Sequence, residues 1–156
     1  MPNWVRNCIS VEKKYVEKLK EISEVGLARY YMPFPEDLKN IKAPVKIGET
    51  ISIEDSKALI KTYGYNNWYD WCNHNWGTKW GCCRNHFIDN EYWFDTAWST
   101  IGENILDMLS EDIPDFSFAW EEEQGFGEKW KCENGILTKI EYWELPDWNE
   151  LLDKLE

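Results

Sequence analysis

Hydrophobic and polar residues change rhythm several times along this chain. From Asn3 to Val11 they alternate, with Val5, Asn7, Ile9 and Val11 on one side, which predicts a strand. The period then lengthens. Tyr15, Val16, Leu19 and Ile22 share one face of a helix predicted from about Val11 to Val25, with Ser10 as its cap and Gly26 as its stop. PFPEDL (33–38) reads as a turn cluster with one short helical turn. Ser52 and Asp55 form a capping box for a helix through Leu59 and Ile60 that Gly64 ends. Residues 27–51 show no sustained period.

The stretch NNWYDWCNHNWGTKW (66–80) is amphipathic in an unusual way. At about 100° per residue, Trp68, Trp71, Cys72, Asn75 and Trp76 fall on one face, and Asp70, Asn73 and His74 on the other. The stretch predicts a helix capped by Asn66 or Asn67, closed by Gly77, whose tryptophans are core. From Gly81 the period becomes two. GCCRNHFI and EYWFDTAWS predict a hairpin turning near Asp89-Asn90. Thr100 with Glu103 reads as another capping box, opening a helix that points Ile101, Ile105, Leu106 and Leu109 inward and ends before Pro114. DFSFAWEEE, GFGEKWKC and GILTKIEYW are three more strands, the last two joined at Glu133-Asn134-Gly135. A short helix is expected at 147–156.

Without the irregular and helical segment at about 27–64, the element order is β-α-β-β-α-β followed by two strands. The expected architecture is therefore α+β, a ferredoxin-like split βαβ sandwich with helices on one face of an antiparallel sheet. A length of 156 residues suits a single domain, 1–156.

The start MPNW with Asn7, the run YNNWYDWCNHNWGTKW and the later FDTAWS, in this order, resemble the YubB-type ferredoxin-like family. Its members are small proteins encoded largely by phages, prophages and plasmids. The similarity runs from Met1 to about Trp120. The motif positions it marks are Asn3, Trp4, Trp68, Trp71, Asn75, Trp76, Gly77, Thr78, Lys79, Trp80, Asp95 and Trp98. The chain departs from the family at Val5, where a cysteine is common, and at Thr100-Ile101, where prolines usually follow. The resemblance implies an accessory gene of mobile DNA; it implies no activity.

Composition sharpens the picture in two places. Aromatic residues make up 16% of the chain, with 11 tryptophans, so most rings must be buried to avoid large apolar patches. Charge is divided unevenly. Residues 1–62 hold 11 Lys/Arg and 9 Asp/Glu, whereas residues 63–156 hold 6 and 20, a net of −14. Such a surface repels a phosphate backbone, and direct nucleic-acid binding is not expected. It suits solubility, or a basic protein partner. Absence of a signal-peptide core or long apolar run predicts a cytoplasmic protein, in the bacterial host, with no membrane association. Five cysteines in no scaffold spacing predict reduced thiols.

Candidate chemistry thins out on inspection. Cys72, His74, Cys82, Cys83 and His86 are close in sequence, but Cys72 and His74 diverge on a helix. Four strand residues set Cys82 and His86 about 13 Å apart, too far for one zinc ion. No nucleophile turn accompanies the cysteines. Asp95, mid-strand, is expected to be a buried carboxylate bonded to backbone, tryptophan N–H or Lys79. Trp4, Trp93, Phe116, Phe118 and Trp120 form a conceivable stacking platform for bases, opposed by the charge of their strands. Gly125-Phe126-Gly127 lies between strands and is no phosphate loop. The expectation is thus a non-enzymatic accessory protein with no catalytic residue, metal or cofactor. It binds an unidentified host or phage protein through Glu121, Glu122, Glu123, Glu128 and Glu133, with Asp107, Glu111 and Asp112 nearby. The alternative is a small-molecule or nucleotide binder with a cleft lined by Trp71, Trp76 and Trp98.

Overall fold

A computed structural model of the protein describes residues 3–144, so the helix expected at 147–156 lies outside the described residues. The first strand, β1 (Trp4–Ser10), buries every second residue, as the alternation predicts. The helix that follows begins later than expected. A 3-10 turn at Lys13–Tyr15 leads into α1 (Val16–Val25), which opens at Tyr15 with no side-chain cap. Ser10 cannot cap it, because Ser10 is the last residue of β1 and pairs with Glu91 and Ser117 on either side. Gly26 ends α1 with φ 97°, a conformation that costs a residue without Cβ little.

The irregular stretch holds α2 (Leu27–Tyr31), a 3-10 turn at Glu36–Leu38, a bridge between Ile47 and Ile51, and α3 (Ile53–Tyr63). Ser52 caps α3 by accepting from the Asp55 N–H, as the capping box predicts. Next comes α4 (Trp68–Asn75). Asn67, not Asn66, is its cap. The Asn67 Oδ1 accepts from the Asp70 N–H at 2.9 Å while the Asp70 carboxylate accepts from Asn67 Nδ2 at 2.8 Å, so one side chain closes the helix end in both directions.

The remaining elements are β2 (Cys83–Ile88), β3 (Glu91–Ala97), α5 (Glu103–Asp112), β4 (Phe116–Glu122), β5 (Gly127–Glu133) and β6 (Ile136–Trp143). The strands form one antiparallel six-stranded sheet in the order β2-β3-β1-β4-β5-β6. β1 thus pairs on both edges, and register places Asn7 opposite Phe94 on one side and Trp120 on the other. One face of the sheet presents Ile9, Tyr92, Phe94, Phe116 and Phe118 to a core completed by Leu19 and Ile22 of α1, Leu27 of α2, and Ile105, Leu106 and Leu109 of α5. The other face carries Arg6, Asp95 and Glu121 in register. Among the described residues no helix is long and apolar enough to cross a membrane.

Asn7 is fully buried in this core and pays its desolvation back with four bonds. Its Nδ2 donates to Val5 O, Phe94 O and Thr96 Oγ1, and its Oδ1 accepts from Thr100 Oγ1 at 2.7 Å. This explains why the second capping box does not form. The Thr100 hydroxyl is turned inward to Asn7, and α5 starts two residues later with Gly102 as its cap position.

Gly102 also touches Gly77. A Cβ on Gly77 would lie 2.8 Å from both Cα and N of Gly102, and the Gly102 N–H donates to Trp76 O at 2.9 Å. Backbone here meets backbone, and no side chain fits between. Gly77 (φ 76°) and Gly64 (φ 84°) share a left-handed backbone, but a Cβ on Gly64 would meet nothing within 4 Å. The pair separates two effects. We expect Gly64→Ala to cost about 1 kcal/mol, the conformational term alone. Gly77→Ala should cost at least about 2 kcal/mol more, a cost in the range of overpacking. Urea denaturation of both variants against the parent measures the difference.

Candidate functional site

The tryptophans of α4 and of the residues that follow it divide between core and surface. Trp71 is 6% exposed and Trp76 1%. They meet edge to face at 5.1 Å, and both pack on Phe34 from the turn before the 3-10 segment. Trp76 satisfies its indole N–H on Met32 O at 2.9 Å. Trp98 is elsewhere, half exposed at the end of β3 with φ 68°. Of the three tryptophans expected to line one cleft, Trp71 and Trp76 pack on each other and on Phe34, while Trp98 stands apart on the surface.

A different cleft lies beside them. It encloses about 270 Å³ and is lined by Arg29, Phe34, Lys39, Trp68, Cys72, Trp76, Lys79 and Trp80. Three of these side chains are cations and none is a carboxylate. Arg29, on α2, lies over the Trp76 ring at 5.2 Å. Lys79 lies between two exposed rings, 4.6 Å from Trp80 and 4.5 Å from Trp98. Trp80 in turn approaches Trp4 at 5.9 Å, and Arg84 covers Trp4 at 4.2 Å. Rings and cations alternate from the cleft to the open face of the sheet.

The segment that delivers Lys79 and Trp80 is held at several points. Asn104 Nδ2 donates to Asn75 O, Ser99 Oγ to Gly77 O, and the buried Thr78 hydroxyl to Ala97 O. Asn75 closes α4 by donating to Trp71 O. Asn3 ties in the far end, its carbonyl accepting from the Trp98 N–H at 2.8 Å. Motif positions scattered through the sequence thus converge: Asn3, Trp4, Lys79, Trp80 and Trp98 share one surface, and Trp71, Asn75, Trp76, Gly77 and Thr78 support it.

Asp95 belongs to the open face rather than the core. Its carboxylate meets Arg84 Nε at 2.6 Å and Arg6 Nε at 3.9 Å, so arginines take the place expected for Lys79. A second hollow forms around it, lined by Trp4, Arg6, Arg84, Asp95, Glu121, Glu122 and Glu123. The conceivable platform of five aromatics is split by the sheet. Phe116 and Phe118 are core, while Trp4 lies on the opposite face.

Of the five late carboxylates, Glu121, Glu122 and Glu123 line the hollow around Asp95, whereas Glu128 and Glu133 do not. Glu121 and Glu123 are exposed, and Glu121 accepts from Trp143 Nε1. Glu122 is 3% exposed; its Oε2 accepts from the Gln124 N–H, while its buried Oε1 has no hydrogen-bond partner among the described residues. Glu128 is engaged by Trp120 Nε1 and by Lys139, and Glu133 by Lys131 at 2.8 Å. Of the cysteine and histidine group, Cys72 is buried among the rings, while His74 is exposed, stacked on Tyr65 with its Nδ1 at Asp70 O.

Sequence reasoning missed Arg29, Phe34, Lys39 and Arg84. The first three lie in the stretch without periodicity, where no pattern assigns a direction to a side chain. Arg84 lies where β2 pairs irregularly with β3, and its φ of 48° turns it toward Trp4 and Asp95. No protein-family model matches the chain, and no curated protein or solved structure matches it.

Burial pushes the thiols of Cys8, Cys72 and Cys82 up to about 12, with a hydrogen bond to Glu91 adding to the effect at Cys8. These cysteines are neutral at physiological pH and poor nucleophiles. Their folded pKa lies above the open-chain value of 9.0, so the folded state holds protons that the unfolded chain releases. This contribution to stability is complete below about pH 9 and is lost as pH rises toward about 12. Burial raises Tyr31 and Tyr92 as well, with the same sign. Urea midpoints should therefore fall between about pH 8 and about pH 10.5. Separately, Trp76→Ala should cost about 3–5 kcal/mol by the same measurement, through lost burial and the cavity left behind.

Proposed function

We propose that this chain is a non-enzymatic accessory protein of a phage, prophage or plasmid, and that it acts by binding a basic host or phage protein through an acidic surface. The setting follows from the resemblance to the YubB-type family. The strand order β2-β3-β1-β4, antiparallel throughout, supports the ferredoxin-like reading, with β5 and β6 as additions at one edge. Neutral, buried thiols favour binding over nucleophilic catalysis.

The observation that carries the acidic surface is α5. Glu103, Asp107 and Glu111 recur every four residues on its exposed side, opposite Ile105, Leu106 and Leu109, and Asp112 follows. Among the described residues none of the four is in a salt bridge, although the Tyr31 hydroxyl donates to Asp112 at 2.6 Å. The last turn contains no basic residue. A helix C-terminus carries partial negative charge, so Glu111 and Asp112 lie where carboxylates cost stability. Solubility needs negative charge somewhere on the surface; it does not need it at this helix end. A surface kept acidic against its own stability points to recognition.

Two measurements separate recognition from solubility. Glu111→Lys should stabilise the fold by about 0.3–1 kcal/mol by relieving the helix end. Asp107→Lys combined with Glu111→Lys should slow association with a partner captured from phage- or plasmid-bearing cells, and the parent's association should weaken as salt rises. Salt-independent binding, or unchanged association after charge reversal, would remove α5 as the interface.

A second reading, ligand binding in the cleft at Trp68, Trp76 and Trp80, is favoured by one specific feature. In an acidic chain, that hollow gathers three cations and no carboxylate.

A further inference from the structure

We propose that the cleft between α2, the Phe34–Lys39 turn and α4 binds a free mononucleotide, with the base against the indoles of Trp68 and Trp80 and the phosphate held by Arg29, Lys39 and Lys79. The inference rests on the second reading above and adds the class of ligand.

Charge comes first. The chain has 29 acidic and 17 basic residues, yet this lining contains only the basic kind. Arg29 and Lys79 make no ion pair or side-chain hydrogen bond with any described residue, and Lys39 makes only a loose, exposed contact with Glu36 at 3.9 Å. Three cations with no protein carboxylate among them match a dianion better than a single carboxylate. Arg29 lies over the Trp76 ring at 5.2 Å and, among the described residues, spends none of its N–H groups on a side-chain hydrogen bond, so they remain available as paired donors to phosphate.

The walls supply the second argument. Trp80 keeps 38% of its surface exposed although Lys79 lies over its ring, and Trp68 is half buried in the lining, so part of each indole remains open to a flat π-system. The floor is apolar and uncharged, made of Trp76 and the neutral thiol of Cys72.

Size and surroundings choose the free nucleotide over a strand. A hollow of about 270 Å³ is near the lower limit of small-ligand sites, which favours a single nucleotide over a longer ligand. The hollow at Trp4, which Trp80 approaches at 5.9 Å, sets Asp95, Glu121, Glu122 and Glu123 against Arg6 and Arg84, a net negative lining. A polyanion gains in the first site and is repelled at the next.

The test is calorimetric titration of the full chain with adenosine 5′-monophosphate and uridine 5′-monophosphate. Parallel titrations use adenosine, ribose 5-phosphate, indole-3-acetate and a short single-stranded oligodeoxyadenylate. Either nucleotide should bind below about 1 mM, at least about tenfold tighter than adenosine or ribose 5-phosphate. Lys79→Ala and Trp80→Ala should each weaken that binding at least about tenfold with an unchanged Tm. Arg29→Ala, at an exposed position, provides a further variant should one of these lose its fold. Indole-3-acetate binding as tightly as the nucleotides, and failing in the same variants, overturns the nucleotide class while keeping the cleft as a site for aromatic anions. An oligonucleotide about tenfold tighter than the mononucleotides overturns the free ligand in favour of a strand. No binding by any probe overturns both the inference and the reading of the cleft on which it rests.

Discussion

The contact between Gly77 and Gly102 governs the half of this molecule that carries the cleft. Two backbones meet there with no room for a side chain, and the Gly102 N–H closes on Trp76 O. The chain leaving α4 is thereby joined to the chain entering α5. Bonds from Ser99, Asn104 and Thr78 then fix residues 75–78 against residues 97–104. Two results follow from this one approach. Trp76 is driven inward against Phe34 and Trp71, and the next two residues, Lys79 and Trp80, emerge beside Trp4 and Trp98. A side chain at either glycine would move the support and the surface together.

The sheet depends on a comparable economy at Asn7. A polar residue in the middle of the central strand costs free energy unless every donor and acceptor finds a partner. Asn7 finds them on its own strand, on β3 and on Thr100, so the same amide that satisfies the core also anchors the loop before α5. Because Thr100 is used in this way, α5 begins without a side-chain cap. Tertiary bonding has displaced a local one, and the loop gains a fixed position relative to β1.

Charge is sorted over the surface as well as along the chain. Two of the cations at the cleft, Arg29 and Lys79, lie over indoles rather than pairing with carboxylates, while Lys39 makes a loose contact with Glu36. The carboxylates of α5 form no salt bridge among the described residues. Asp95 is the exception to both patterns, neutralised between Arg84 and Arg6 on the open face. A net of −12 therefore conceals a cleft lined by cations as well as a helix face lined by carboxylates.

Periodicity carried the local elements well because helix and strand place side chains with fixed periods of 3.6 and 2. The alternation in β1 and β4, the capping by Ser52 and Asn67, and the inward faces of α1 and α5 follow from neighbours within a few residues. The same reasoning marked Trp71 and Trp76 as core, since no surface tolerates so many large rings. It could not say that Trp71 and Trp76 occupy each other's space, that Asp95 meets Arg84 instead of Lys79, or that Thr100 turns to Asn7. Nor could it bring Arg29 and Lys39, from a stretch with no period, to the side of Lys79. Those outcomes depend on where segments far apart in the chain come to rest, and that is decided by the antiparallel order of the sheet and the two glycines that let α4 and α5 touch. The sequence by itself determined the elements and their buried faces, because these are local matters of spacing and burial. Only the tertiary structure decided the site, because a cleft is made of side chains that share space without sharing sequence.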